Sequence, residues 1–258
     1  MTAAMTKTAG GTEFAGEKAE RLFSGQLSAE YEMLKLICPA AAAMSGRVGD
    51  FVAHMPAAPA RPLNAVEIGC GTGITTLALL QAREDLVIAA LDNEPGMLSQ
   101  ARDNLSAFID QGRVRLIEAD ALAGLRALPT GSIDLVASAY AAHNFLEPYR
   151  VKVLAEIYRV LAPGGLFVNG DRYALDNTAE QTRLTQQEAR HYFKTLSAIN
   201  RHDLLEQWVI HLFSDESADH IMRLGPSLAA MRAIGFDPID VRFRDGVNTL
   251  LTAAKPDA

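Results

Sequence analysis

Glu67-Ile68-Gly69-Cys70-Gly71-Thr72-Gly73 sets three glycines at alternate positions behind an acidic residue. Without Cβ atoms such a run turns sharply and lets its backbone come close to a ligand. Where the run joins a strand to a helix, the helix N-terminus adds free N–H groups suited to a carboxylate or phosphate. A dinucleotide-binding loop would want glycine at position 74, and Ile74 stands there. Carboxylates follow at matching places. Asp92 closes the second apolar run, where an acid can accept both hydroxyls of a ribose. Asp120 follows the third run, where its oxygens suit an adenine amino group and the next amide, that of Ala121, suits a ring nitrogen. Ser138-Ala139-Tyr140 ends the fourth. A nucleoside carrying an amino acid on a sulfonium would use all of these groups. The expected cofactor is therefore S-adenosylmethionine (SAM), with S-adenosylhomocysteine (SAH) as its product.

The reacting side has fewer markers. His143 lies just past the fourth run, at the sheet edge where ligands collect, and an imidazole titrates near neutrality. It can serve as a general base, or pack against a loop and hydrogen-bond a carbonyl. Tyr140 can lay its ring beside the sulfonium through a cation–π contact, or wall the adenosine pocket. Asp171 and Tyr173 leave the fifth strand at the same edge, as acceptor contacts or as capping and surface groups. His191, Tyr192, His202, Trp208 and His211 lie in a helical stretch beyond, where aromatic residues more often form core than a binding site. His191 and His202 with Asp171 or Asp203 lack an HxxxH or HxxE spacing, so no metal is expected. The Asn/Asp-Pro-Pro-aromatic signature of nucleobase amino-group methylation is absent, Ser138-Ala139-Tyr140-Ala141 standing in its place.

These residues need a sheet to hold them. Leu63–Ile68, Leu86–Leu91, Val114–Ile117, Ile133–Ala139 and Leu166–Val168 read as strands, the second of them six apolar residues long, as expected where both strand faces are buried. Helices are expected over Ile74–Ala82, from Pro95 with Met97, Ala101, Leu105 and Phe108 on one face to a stop at Gly112, and over about Tyr149–Leu161, stopped by Pro163-Gly164-Gly165. Ser28 can cap an earlier helix that Pro39 perturbs or ends. Ala179–Leu196, Asp203–Leu212 and Ser217–Leu224 read as lid helices, and Pro226–Ile234 as a helix closed by Gly235. Ile239–Phe243 alternates strictly, and a turn at Asp245-Gly246 leads into Val247–Ala253, an antiparallel hairpin. The expectation is an α/β fold: a seven-stranded, mostly parallel Rossmann-like sheet with a C-terminal antiparallel hairpin, a helical N-terminal extension and a helical lid insertion. Residues 1–14 read as a flexible tail, 15–62 as N-terminal helices, and 63–258 as the SAM-binding domain with its insertion at about 172–225.

Length and charge narrow the partners. The 258 residues can bury a full core, and a net charge of −7 speaks against a broad DNA footprint, which needs a basic face. Two cysteines, Cys38 and Cys70, form no disulfide framework, and no apolar run suggests a signal peptide or membrane span. A cytoplasmic protein acting on a small molecule is expected, with no DNA and no membrane partner; the N-terminal helices and the lid could serve a homodimer.

The stretch from Glu67 to Phe167 resembles the class I SAM-dependent methyltransferases. The resemblance is carried by Glu67-Ile-Gly-Cys-Gly-Thr-Gly, Leu91-Asp92-Asn93, Glu118-Ala-Asp120-Ala121, Ile133-Asp-Leu-Val and Arg159-Val-Leu-Ala-Pro-Gly-Gly-Leu. It implies Gly69, Cys70 and Gly71 along the methionine moiety, Asp92 and Asn93 at the ribose, and Asp120 and Ala121 at adenine. Glu67, Gly73 and Ala139 complete the expected cofactor site, with His143 and Tyr140 at the reacting end. A fainter resemblance, to carboxy-S-adenosylmethionine synthases, rests on Asn144-Phe145-Leu146-Glu147-Pro148, Tyr31 and Phe243…Gly246-Val247-Asn248. It implies that Tyr31 touches the ligand. Those enzymes hold an extra carboxylate with a lid arginine and carry an asparagine at the end of the fourth strand. Here Tyr140 stands at the asparagine's place and residues 203–220 contain no arginine, which favours an ordinary methyl donor. The expected activity is methyl transfer to a nitrogen or oxygen of a small molecule. The alternatives are a carboxy-SAM-forming enzyme feeding tRNA modification and a non-catalytic SAM-binding module.

Overall fold

Strands that are apolar on both faces must lie between two helical layers, and the computed structural model has that architecture. It describes residues 37–56 and 61–257. The elements run α1 (Pro39–Ala53), β1 (Leu63–Ile68), α2 (Ile74–Ala82), β2 (Leu86–Asp92), α3 (Pro95–Asn104), α4 (Ser106–Asp110), β3 (Val114–Glu118), α5 (Ala121–Arg126) and β4 (Ile133–Ala139). A short 3-10 turn (Ala142–Asn144), α6 (Glu147–Val160) and β5 (Leu161–Arg172) follow, then α7 (Thr178–Ala198), α8 (His202–Asp215), α9 (Leu224–Ile234), β6 (Ile239–Asp245) and β7 (Asn248–Ala254).

The seven strands pair in the order β3-β2-β1-β4-β5-β7-β6. The first five are parallel, and β7 runs antiparallel to both β5 and β6. The expected mostly parallel sheet with a terminal antiparallel hairpin is the one found. Alternation along β1 sends Val66 and Ile68 into one core and Leu63 and Ala65 into the other. The first core lies under α5, α6 and α9; the second, with Met44, Val48 and Leu79, lies under α1 and α2. Strand order reverses between β1 and β4, and a crevice opens beyond the C-terminal ends of strands at such a switch point. No helix among the described residues is long and apolar enough to cross a membrane.

Several elements differ from the sequence expectation. The helix starting at Ser28 lies outside the described residues, and Pro39 opens α1 at its first turn, where a missing amide costs nothing. The long helix from Pro95 breaks at Leu105, and the Asn104 side chain at the break donates to the Thr72 carbonyl at 2.9 Å, tying α3 to the glycine loop. A short helix, α5, follows Asp120, whose carboxylate caps it by accepting the Ala123 amide at 2.9 Å. Pro163-Gly164-Gly165 lies inside β5: Leu161 already pairs with Ile133, and the register shifts there before pairing resumes at Leu166. Ser217–Leu224 forms turns instead of a third lid helix, with the Ile221 amide closing on the Ser217 carbonyl at 2.9 Å. The alternation of β6 is interrupted by a register shift between Val241 and Phe243.

Candidate functional site

β1 delivers the chain to the crevice and the glycine loop turns it back into α2. Gly69, Gly71 and Gly73 all have left-handed φ values, of 67°, 53° and 86°. Their surroundings differ. A Cβ on Gly69 would lie 2.4 Å from that of Ala141, whereas one on Gly71 meets nothing within 4 Å and faces the cavity. Gly69→Ala is therefore expected to lower stability by about 2 kcal/mol or more, from left-handed strain and overpacking together. Gly71→Ala is expected to act mainly on ligand affinity by filling open space. Thermal unfolding and ligand titration of the two variants separate these effects; equal melting points would contradict the assignment.

Glu67 lies beneath the loop, fully buried and outside the cavity wall. Thr76 Oγ1 donates to its Oε2 at 2.5 Å, while Oε1 has no hydrogen-bond partner among the described residues. Burial raises its pKa from 4.5 to about 7, with the Thr76 bond opposing. The folded chain thus keeps a proton that the unfolded chain loses near pH 4.5, and stability falls as pH rises from there through about 7. The loss is about 3 kcal/mol at one pKa unit per 1.36 kcal/mol. Glu67→Gln is expected to abolish that slope in urea unfolding at pH 5 and pH 8; a slope equal to the wild type's would count against it.

One cavity joins the remaining groups. Gly69, Cys70, Gly71, Asp92, Asn93, Asp120, Ala121, Ala139, Tyr140 and His143 all line it. Gly73 does not, and Tyr31 lies outside the described residues. Asp92 Oδ2 accepts the Gly71 amide at 2.7 Å and Oδ1 accepts the Glu94 amide at 2.9 Å. The Asn93 amide also bonds this carboxylate, whose four lone-pair sites thus keep one for a ligand hydroxyl. Burial raises the Asp92 pKa, and the amides of Glu94, Gly71 and Asn93 oppose that shift. Asp120 Oδ1 also accepts the Tyr149 hydroxyl at 2.8 Å, which fixes the carboxylate in place. The fit to SAM is good: an open cradle at Gly71, an acid with acceptor capacity to spare at Asp92, and apolar lining from Ile68, Leu91 and Met97.

At the other end β4 and β5 bring two chemical groups together. His143 Nδ1 and Asp171 Oδ1 are 2.6 Å apart and both side chains are buried. Asp171 is fixed in turn by the amides of Arg172 on Oδ1 at 2.8 Å and of Ala142 on Oδ2 at 2.9 Å. An ionised carboxylate only accepts, so Nδ1 carries the proton and Nε2 is left as the variable atom. Burial disfavours the imidazolium, but the charge and hydrogen bond of Asp171 outweigh it and raise the His143 pKa overall. Arg150 braces the loop from behind, donating to the carbonyls of Ala142 at 3.1 Å and Phe145 at 2.6 Å. Tyr140 takes a left-handed φ of 50°, and its hydroxyl bonds Asn248 Oδ1 on β7, so its ring is held at the cavity edge. Burial pushes its phenol pKa up.

The lid helices α7 and α8 supply the wall that sequence reasoning left open. Tyr192, Trp208 and His211 turn inward and line the cavity, while His191 and His202 are exposed. Tyr192 and Trp208 also belong to the lid's own core with Leu196 and Leu204, so core and cavity wall are one surface. Arg172 went unnoticed in the sequence. Buried at the end of β5, it donates to Glu188 and Glu216 at 2.8 Å each and lies 3.6 Å from Asp215, locking the lid to the sheet. Its guanidinium is held charged by those acids against burial. Tyr173 points away into the main core, where its hydroxyl accepts from Asn169 at 2.7 Å.

The strand order, the glycine loop, Asp92 at the end of β2 and Asp120 just after β3 resemble those of the class I SAM-dependent methyltransferases, whose cofactor is SAM. Residues 65–165 match the family model described as a methyltransferase domain. Among curated relatives, a carboxy-S-adenosyl-L-methionine synthase from Shewanella sp. (strain MR-7) is 29% identical over 160 residues, covering 60% of this chain and 62% of that protein. A demethylmenaquinone methyltransferase from Thermus thermophilus is 39% identical over 108 residues, covering 42% of this chain and 46% of that one. The match thus spans less than two thirds of these relatives' length. Among solved structures, a phosphoethanolamine N-methyltransferase 2 from Haemonchus contortus, in complex with phosphomonomethylethanolamine and SAH, superposes with a TM-score of 0.63 at 14% identity. That likeness covers 93% of this chain and 61% of the other, and shows a shared fold.

Proposed function

We propose that this chain is a methyltransferase that moves a methyl group from SAM to a nitrogen or oxygen of a small-molecule acceptor. One observation carries the reading: a single cavity runs from Asp92 and Asp120, at the nucleoside end, to the His143–Asp171 pair under the lid. When bound, SAM supplies a methyl group already activated by the sulfonium that holds it. The chain's own contribution is alignment and exclusion of water. Asp92, Asn93, Asp120 and Ala121 fix the nucleoside, while Tyr192 and Trp208 roof the acceptor end. His143, oriented through Nδ1, has Nε2 available to take a proton from a hydroxyl or ammonium, and the Tyr140 ring flanks the transferred group.

Incubation with methyl-labelled SAM and a small-molecule extract tests this. A labelled small molecule with an equal yield of SAH is expected; no SAH above the buffer blank, or label found only on nucleic acid, overturns it.

A second reading comes from the relatives named carboxy-S-adenosyl-L-methionine synthase. It needs a cation for an extra carboxylate. Among the described residues Arg172 is the arginine lining the cavity, and its guanidinium is already engaged by Glu188 and Glu216. That arrangement favours the plain methyl donor. Mass spectrometry of the ligand retained through purification separates the two, the second reading requiring a nucleoside heavier by one carboxylate.

A further inference from the structure

His143, on the loop after β4, meets His211 and Asp215 of α8 across the acceptor end of the cavity. One donor atom from each lies within 4.8 Å of the other two. His211 Nε2 and Asp215 Oδ1 are 3.7 Å apart, and the three side chains are 6%, 7% and 9% exposed. The i, i+4 spacing on α8 puts His211 and Asp215 on one helix face, aimed at the His143 loop. We propose that these three residues bind one divalent first-row transition-metal ion.

Three features support the site. Two imidazoles and a carboxylate are the donor set of facial metal sites that keep open coordination positions. His143 is backed by a carboxylate: Asp171 on Nδ1 fixes the tautomer and turns Nε2 outward, as in metal sites where a second carboxylate orients the histidine. The charge balance also calls for a cation. Asp171, Glu188, Asp215 and Glu216 are set against Arg172, Arg150 behind Asp171, and the His143 imidazole, so the carboxylates outnumber the cationic groups around them among the described residues. A dication offsets the difference. Sequence spacing did not suggest this set, because it pairs a strand-end loop with a helix far along the chain. The histidines weighed in the sequence, His191 and His202, face outward instead.

The three residues line the same chamber as Tyr192 and Trp208, so an ion held there would be within reach of an acceptor with an oxygen donor. An Nε2 holding the ion does not take a proton, so the proton-accepting role proposed above belongs to the ion-free chain. Metal binding itself does not depend on the methyl-transfer reading.

The test is titration of chelator-stripped protein with Co²⁺ and with Zn²⁺. One equivalent of each is expected to bind, Co²⁺ with a visible d–d band, and each ion is expected to raise the unfolding temperature. Asp215→Asn, which keeps the side chain's size, and His211→Gln are each expected to weaken binding at least tenfold. Failure of the folded wild type to take up either ion overturns the proposal, as does undiminished binding in Asp215→Asn. SAH titration of the same samples keeps the two readings apart: metal bound without SAH sinks the donor site alone, and SAH bound without metal sinks this site alone.

Discussion

Asp92→Ala is expected to weaken SAM binding by about a hundredfold or more. The carboxylate does two things at once. It holds the Gly71 and Glu94 amides, shaping the loop that the methionine moiety would follow, and in the proposed binding mode its remaining acceptor capacity would serve the ribose. Hydrogen bonds to a charged group contribute about 1.5–3 kcal/mol each. Losing one at the ribose amounts to about 1.5–3 kcal/mol, and loosening of the glycine loop adds to it. Asp92→Asn keeps the shape and one acceptor, so its affinity should fall between the two. Calorimetry on the three proteins checks this; alanine binding within threefold of wild type would refute it.

His143→Ala is expected to lower kcat by about 10²–10⁴, the usual contribution of a positioned acid–base group. Affinity for SAM should change only a few-fold, because the proposed nucleoside contacts lie at Asp92 and Asp120. The expectation is the same whether Nε2 takes a proton or holds a cation, since truncation removes it in both cases. Asp171→Asn should retain more activity, because it leaves the imidazole in place with a weaker partner. Unchanged kcat in His143→Ala would remove the residue from the reaction.

The sheet was legible because its strands are unbroken apolar runs between turn residues. Expected and observed bounds of β1 and β4 agree, and those of β2 and β3 differ by one residue. Helix boundaries were harder where one residue carries two meanings. Proline both ends helices and opens them, and at Pro39 the second applies. Pro163-Gly164-Gly165 reads as a break, yet neighbouring β4 lets the strand continue across it with a shifted register. That Asp92, Asn93, Asp120 and Ala121 line one cavity was legible because each sits directly after its own strand, so order along the chain gives order in space. The acceptor side was not. His143 and Asp171 were each noticed, but their pairing across 28 residues is set by β4 lying beside β5. Which lid histidine faces inward depends on how α8 packs, and His202 and His211 are alike in sequence until α8 docks.

Titration calorimetry of the native chain with SAH, alongside a separate titration with NADH, tests the nucleoside site most directly. One-to-one binding of SAH, and weaker or no binding of NADH, is the expected result. An absence of SAH binding by folded protein, or tighter binding of NADH, would contradict the account at its root.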